Sequence, residues 1–450
     1  MSLLTKYNVP VPRYTSYPTV PYWQDAPDQE QWKKMVAGSF SATNQHEGIS
    51  LYIHLPYCDS LCTYCACNTR ITINHNVEDP YIDTLLNEWE LYLNLFTSKP
   101  RIKELHLGGG TPTFFSAANL QKLIDGILKK SIVCEHADFS FEGHPNNTTT
   151  DHLQILFNLG FTRVSFGVQD LDTIVQEAIN RIQPLENLVH VVSEARRIGY
   201  SSINFDLVYG LPFQTSATIA ETIESVIQLK PERIAFYSYA HVPWIKPGQR
   251  KFTEEDLPSG DEKRSLYEVG LELFKRSGYE DVGMDHFALA TDSLYEAYAA
   301  KKIHRNFMGY TAHYTELMIS LGVSAISDTW TGFSQNIKVV EPYRQAVAEG
   351  KFPIMKGHIL TQEDALIREQ ILNIMCHYET SWDETPCTHS ILPDVTGRLK
   401  DLESDGLVHL QPGKLLVTEK GKAFLRNICL CFDVRYWAMV PEGVSFSSVA

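Results

Sequence analysis

From about residue 49 to 240 the chain alternates short β-rich runs with longer helical stretches, and this alternation leaves few folds open. The runs fall at 50–55, 104–107, 139–142, 163–167, 204–209 and 233–239. Between the first two, Ile82, Leu85, Leu86, Trp89, Leu93 and Phe96 recur at three- and four-residue steps, so one helical face is apolar and packs on a sheet. A second helix over 152–159 stops at Gly160, a residue suited to a helix C-terminus. Repeated βα units imply parallel strands joined by right-handed crossovers, and about six of them predict an α/β barrel, complete or partly open. Sites in such sheets lie at the C-terminal ends of strands, so the residues just after each run are the candidates for chemistry.

The flanks differ. Residues 1–48 carry Pro10, Pro12, Pro18, Pro21 and several tyrosines and are expected to form a largely irregular N-terminal arm over the barrel mouth. Residues 241–355 are mixed, with a helical stretch over 266–277, and extend the barrel unit that begins at 49. From Thr361 the pattern changes: Thr361 and Asp364 signal a capped helix, a second helix follows over 395–404, and a hairpin-like stretch over 408–418 turns at Pro412-Gly413 before a helix over 420–428. Helices followed by a β-wing predict a mostly helical, winged-helix-like domain over 361–450. No repeat of fixed period and no low-complexity tract is present.

Charge and cysteine usage narrow the partners. With 39 Lys+Arg against 54 Asp+Glu the formal net charge is −15, which opposes general attraction to nucleic acid or an anionic membrane. No apolar run is long enough to span a bilayer, and the N-terminus lacks an apolar signal region and a small-residue cleavage site. A cytoplasmic monomer with neither nucleic-acid nor membrane partner is expected. The 9 cysteines do not read as a disulfide framework in a chain this long. Cys134, Cys376 and Cys387 are scattered and read as packing residues, Cys429 and Cys431 lie near the C-terminus, and Cys58, Cys62, Cys65 and Cys67 fall together.

The segment Cys58-Asp-Ser-Leu-Cys62-Thr-Tyr-Cys65 follows directly on the first β-run. Three thiolates on one short loop can each take a different iron of a cubane and leave the fourth iron open to a substrate. A structural zinc site competes on ligand type, but zinc usually draws ligand pairs from two segments, and no partner CxxC or HxxxH stands at zinc spacing. A chance group of reduced core cysteines is the other bland reading.

This CxxxCxxC after the first strand of a βα barrel resembles the radical S-adenosylmethionine (SAM) superfamily, which implies a (β/α)6 partial TIM-like barrel. By that resemblance Cys58, Cys62 and Cys65 would hold a 4Fe-4S cluster. SAM would chelate the open iron through its amino and carboxylate groups, and one electron would cleave it to methionine and a 5′-deoxyadenosyl radical. Tyr64 would stand beside the adenine, Gly108-Gly109-Gly110-Thr111-Pro112 after the second run would meet the methionine ammonium, and Glu142 would accept a hydrogen bond from it.

The likeness extends over nearly the whole chain to the family of oxygen-independent coproporphyrinogen III oxidases, or dehydrogenases. It is carried by Pro12-Arg13-Tyr14-Thr15-Ser16-Tyr17-Pro18, Tyr52-Ile53-His54-Leu55-Pro56, Cys67, Phe166-Gly167-Val168-Gln169-Asp170, Asn180-Arg181, Asp206-Leu207-Val208-Tyr209-Gly210-Leu211-Pro212, Tyr239-Ala240-His241, Met284-Asp285-His286-Phe287, His304-Arg305-Asn306-Phe307 and Asn427-Ile428-Cys429-Leu430-Cys431-Phe432. The resemblance implies anaerobic oxidative decarboxylation of coproporphyrinogen III to protoporphyrinogen IX, the propionates of rings A and B becoming vinyls, with an unidentified electron donor and acceptor. It also implies two SAM molecules. Tyr52, Gly109, Glu142 and Ile326 would line the first, and Tyr64, Gly110, Thr111, Gln169, Arg181, Asp206 and Ala240 the second. Cys67 is expected to act near the substrate rather than as a cluster ligand, a plain loop thiol being the other reading.

Cations for the tetracarboxylate are sought in Arg13 and Arg305, with His286 and His304 nearby in sequence. Two stretches depart from the family pattern: Gly309-Tyr310-Thr311-Ala312-His313-Tyr314, and Gly143-His144-Pro145 after Glu142. Two other functions fit parts of the chain: a heme chaperone on the same scaffold without decarboxylase activity, and a DNA-binding regulator using the winged-helix-like region with an iron-sulfur sensor. The many acids of 361–433 count against the regulator.

Overall fold

The computed structural model describes residues 3–382 and 386–438; residues 1–2, 383–385 and 439–450, and the side chains of residues 4–5 and 386–393, Cys387 among them, lie outside that description. Six parallel strands stand where the apolar runs predict them: β1 (Ile49–Leu55), β2 (Arg101–Gly109), β3 (Ile132–Gly143), β4 (Phe161–Gln169), β5 (Ser202–Tyr209) and β6 (Arg233–Ser238). Each pairs in parallel with the next. Strands buried on both faces read as near-continuous apolar runs, and β1 is an example, with only Tyr52 less than fully buried.

Six further strands complete one sheet: β7 (Tyr279–Gly283), β8 (His286–Leu289), β9 (Met318–Leu321), β10 (Ile326–Asp328), β11 (Gly332–Asn336) and β12 (Ile354–Ile359). The order is β12-β11-β10-β9-β1-β2-β3-β4-β5-β6-β8-β7. A seventh parallel strand, β9, joins β1, while β8 runs antiparallel to β6 and β10 antiparallel to β9. The two ends of the sheet do not pair, so the barrel is partial, as six βα units allow.

Helices cover the outside of the sheet. The helix Glu78–Leu93 buries Tyr81, Ile82, Leu85 and Trp89 against it. Phe96, counted from the sequence as part of this stripe, lies beyond the helix end and stacks on Phe40 with ring centroids 3.8 Å apart. The helix Thr150–Asn158 starts from a capping box between Thr149 and His152, and the left-handed Gly160 (φ 98°) follows its end.

The N-terminal arm departs from the expectation of a largely irregular segment. Residues 29–43 form a helix, Gln29–Thr43, opened by a capping box between Asp28 and Gln31 and buried through Trp32, Val36 and Phe40. Its mean hydropathy is low, and the prolines before it mask its start. Ahead of the helix, Val11, Tyr14 and Tyr17 join a second core with Ile367, Ile371, Ile374, Ile428 and Phe432. That core sits between the capped helix Gln362–His377, the helix Pro386–Ser404, the helix Leu425–Phe432 and a three-stranded sheet of Glu379–Ser381, Lys414–Val417 and Val408–Gln411.

Candidate active site

The cysteine loop leaves β1 through the short strand Tyr57–Cys58, paired with Arg70–Ile71. Its backbone is tied on several sides: Thr63 N donates to Ile179 O at 2.9 Å, Asn180 Nδ2 to Leu61 O at 2.7 Å, and Arg70 N to Pro56 O at 2.8 Å. These bonds fix the loop over the C-terminal ends of the strands. Cys58 Sγ lies 3.3 Å from Thr111 Oγ1, and Cys62 Sγ receives Arg181 Nη1 at 3.5 Å. Cys65 Sγ accepts from Cys67 N at 3.4 Å. Hydrogen bonding from the Cys67 thiol and, less, from the Cys67 amide, with Lys246 and Arg181 nearby, holds the Cys65 thiol below its usual range, while burial pushes the Cys58 thiol up to about 11. Among the described residues no three His, Cys, Asp or Glu side chains converge on one point. A cubane does not ask this of them, because each thiolate takes a different corner.

The glycines after β2 are required by space. A Cβ on Gly109 (φ 115°) would lie 2.8 Å from the His54 ring, and one on Gly110 would lie 2.6 Å from the Pro56 carbonyl. Without side chains, Gly110 N reaches Leu55 O at 2.8 Å and Thr111 N reaches Tyr57 O at 3.0 Å, which seats the glycine turn against the root of the cysteine loop. Glu142, ending β3, accepts from Gly109 N at 3.2 Å and faces His106 Nε2 at 3.4 Å. Asp206 on β5 accepts from Ser165 Oγ and Asn204 Nδ2, both at 2.9 Å, and burial with Glu142 nearby raises it to about 6. Arg181 donates to Gly167 O at 2.7 Å, and its buried Nε has no partner among the described residues.

These groups share one cavity of about 620 Å³, lined by Cys58, Cys62, Tyr64, Cys65, Cys67, Gly109, Gly110, Thr111, Glu142, Gln169, Arg181, Asp206 and Ala240. Tyr52 and Ile326 are not on it. They line a smaller cavity of about 210 Å³ whose wall shares His106, Glu142 and Met308 with the large one. The set expected around the first SAM is therefore divided, with Gly109 on the large side and Glu142 on both.

Of the cations sought for the substrate, Arg13 and His286 line the large cavity. Arg13 donates to Ser238 O at 2.8 Å, and burial pushes His286 down to about 4. His304 and Arg305 are not lining residues; His304 stands edge-on to Tyr314, with centroids 5.0 Å apart. The departing stretches divide likewise: His144 and Tyr310 line the cavity, while Thr311 bonds the buried Glu104 away from it.

Three contributors have no motif of their own. Gln249, fully buried, donates to Tyr64 O at 3.1 Å and Ala240 O at 3.2 Å, tying the cysteine loop to the end of β6. Arg163 and Arg233 line the cavity from β4 and β6, paired with Asp138 and Asp292, each at 2.7 Å. An Arg inside a strand that otherwise reads as buried is the one signal the sequence offers for them.

The model of the radical SAM superfamily matches residues 52–226. The oxygen-independent coproporphyrinogen III oxidase of Synechocystis sp. is 35% identical over 441 residues, covering 96% of this chain and 94% of that protein. The enzyme of the same name from Escherichia coli is 36% identical over 440 residues, again 96% and 94%. The chain belongs to the oxygen-independent coproporphyrinogen III oxidase family. Its fold agrees with a solved coproporphyrinogen III oxidase of Escherichia coli, a radical SAM enzyme, at TM-score 0.87 and 34% identity, covering 94% of this chain and 97% of that one. Membership of the radical SAM superfamily implies a 4Fe-4S cluster and SAM. The three loop thiols, the side-chain-free turn at Gly109 and Gly110 and the buried unpartnered Arg181 Nε fit such a pair of groups. No helix among the described residues is long and apolar enough to cross a membrane.

Proposed function

We propose that this chain carries out the anaerobic oxidative decarboxylation of coproporphyrinogen III, turning two propionates into vinyls. The observation that carries the reading is that the cysteine loop opens into the same cavity as Glu142, Arg181 and Asp206, in a chain matched almost end to end by coproporphyrinogen III oxidases. When bound, the cluster and SAM supply a 5′-deoxyadenosyl radical able to remove a hydrogen atom from an unactivated carbon.

The protein's own part is placement. Cys58, Cys62 and Cys65 hold the cluster, Arg181 meets a carboxylate, Asp206 takes ribose hydroxyls, and Glu142 accepts from an ammonium. Tyr52, Gly109, Glu142 and Ile326 would line a first SAM, and Tyr64, Gly110, Thr111, Gln169, Arg181, Asp206 and Ala240 a second. Each propionate loses one hydrogen atom, one CO2 and one electron, so the reading needs an electron acceptor as well as a donor to the cluster, and no acid-base step at the reacting carbon. We place the protein in the cytoplasm, where its thiols stay reduced.

Anaerobic incubation with coproporphyrinogen III, SAM and a one-electron reductant is expected to yield protoporphyrinogen IX and 5′-deoxyadenosine. Absence of both overturns the proposal. Stoichiometric heme binding without SAM turnover would instead support a heme chaperone, which no feature of the cavity favours.

A further inference from the structure

The chain is strongly acidic, yet one buried place in it is strongly basic. Asp285, between β7 and β8, is the carboxylate its cations share, and Asp281 on β7 is a second acid that feels its charge. Arg13, Arg426, Arg305 and Lys263 all act on it electrostatically. Arg13 Nη1 stands 3.7 Å from Asp285 Oδ2. Lys263 Nζ donates to Tyr239 O at 2.9 Å, and Arg426 donates to Pro12 O at 3.2 Å and to Val11 O. Four cations against Asp285 and Asp281 leave a net excess of positive charge in low-dielectric surroundings, which is costly unless an anion completes the site.

Arg305 is the member with the least support. It is 6% exposed, and its Nε and Nη1 have no hydrogen-bond partner among the described residues. Its guanidinium lies 4.5 Å above the Tyr310 ring, and Tyr310 lines the large cavity together with Arg13, Tyr237 and His286. The Tyr310 hydroxyl is held by Met375 O at 2.8 Å, which fixes the platform on which Arg305 rests. Arg181, by contrast, is already engaged with Cys62 and Gly167 on the cysteine-loop side.

We propose that Arg13, on the cavity wall, and Arg305, set directly behind the lining residue Tyr310, form a carboxylate-binding pole that anchors propionate groups of the tetrapyrrole substrate. The inference rests on the proposed substrate. A guanidinium offers several donors in a fixed fork that suits a carboxylate, and its flat face already stacked on Tyr310 limits the freedom lost on binding.

The test uses the protein with its cluster, purified without oxygen, and coproporphyrin III, the fluorescent oxidised form of the substrate, as the probe. Arg305→Met is expected to weaken binding at least tenfold, and Arg305→Lys to recover part of it. Binding of the uncharged tetramethyl ester should stay within twofold of wild type in both. Unchanged affinity for the tetra-acid in Arg305→Met, or equal loss for acid and ester, overturns the anchor. If Arg305→Met loses the visible absorption of the cluster, Arg13→Met takes its place with the same expected and overturning outcomes. Failure of this inference is separable from failure of the proposed reaction. Wild-type protein that binds coproporphyrin III but converts no coproporphyrinogen overturns the reaction and leaves the anchor standing. Full conversion with an Arg305→Met affinity equal to wild type overturns the anchor alone.

Discussion

Each loop thiol meets a different polar group, Thr111 for Cys58, Arg181 for Cys62 and the Cys67 amide for Cys65, so the three are not interchangeable. Cys67 stands exposed at the rim and reaches the others only through Cys65. Cys62→Ser is therefore expected to abolish the visible absorption of the cluster in anaerobically purified protein, and Cys67→Ser to leave it; a full cluster in the first variant would contradict the assignment. Gly110 tests the turn. A methyl there meets the Pro56 carbonyl at 2.6 Å and Tyr57 O at 2.9 Å, both backbone atoms that cannot swing aside. Gly110→Ala should cost about 1–3 kcal/mol as overpacking in urea denaturation, and a wild-type midpoint would show that the loop gives way. Such residues were legible because their spacing is local. Gln249 and Arg233 were not, since each works through a partner far along the chain, Tyr64 and Asp292 respectively.

Among the elements, the parallel strands were readable because burial on both faces writes them as apolar runs. The short strands β9 and β10, four and three residues long, were not, because their pairing is decided by their neighbours β1 and β11 and by one another rather than by pattern. The helix Glu78–Leu93 joins this side of the sheet to the core through an unexpected residue. Glu88 is fully buried and accepts from Tyr343 Oη at 2.6 Å, Asn336 Nδ2 at 2.7 Å and Gly322 N at 2.8 Å. Burial outweighs these bonds and raises its carboxyl from 4.5 to about 7. The folded state thus keeps a proton that the unfolded chain releases. The stabilisation is complete below about pH 4.5 and falls away as pH rises to about 7, a change of about 3 kcal/mol. Glu88→Gln should remove this slope, seen as the difference between wild-type and variant urea stabilities across that range; parallel curves would rule the term out.

At the scale of the whole molecule, the arm is one of the elements that join the two cores. Val11, Tyr14 and Tyr17 are buried in the C-terminal core, while Arg13, between them, reaches the barrel at Ser238 and Asp285. The prolines and tyrosines of the arm announced an irregular segment, but not that its alternate side chains point to different cores, because that depends on Arg426 holding the Val11 and Pro12 carbonyls from a helix more than 400 residues away. The net charge of −15 was equally silent about the basic pole, since an average over 450 residues hides four cations gathered by four distant segments. Tyr14 is the test of this strap. It is 2% exposed, and its hydroxyl donates to Asp433 at 3.1 Å. Truncation should remove about 3–5 kcal/mol from the C-terminal core, the usual cost of deleting a buried aromatic ring. Strands β1 and β5 contribute no residue to Tyr14's cluster and should not feel the change. In Tyr14→Ala, amide hydrogen exchange is expected to quicken in the helices Gln362–His377 and Leu425–Phe432 and to stay unchanged in β1 and β5. Equal acceleration everywhere would mean that the cores unfold as one unit and that the arm is no strap, whereas no acceleration in those two helices would show that the arm's burial contributes nothing to holding them.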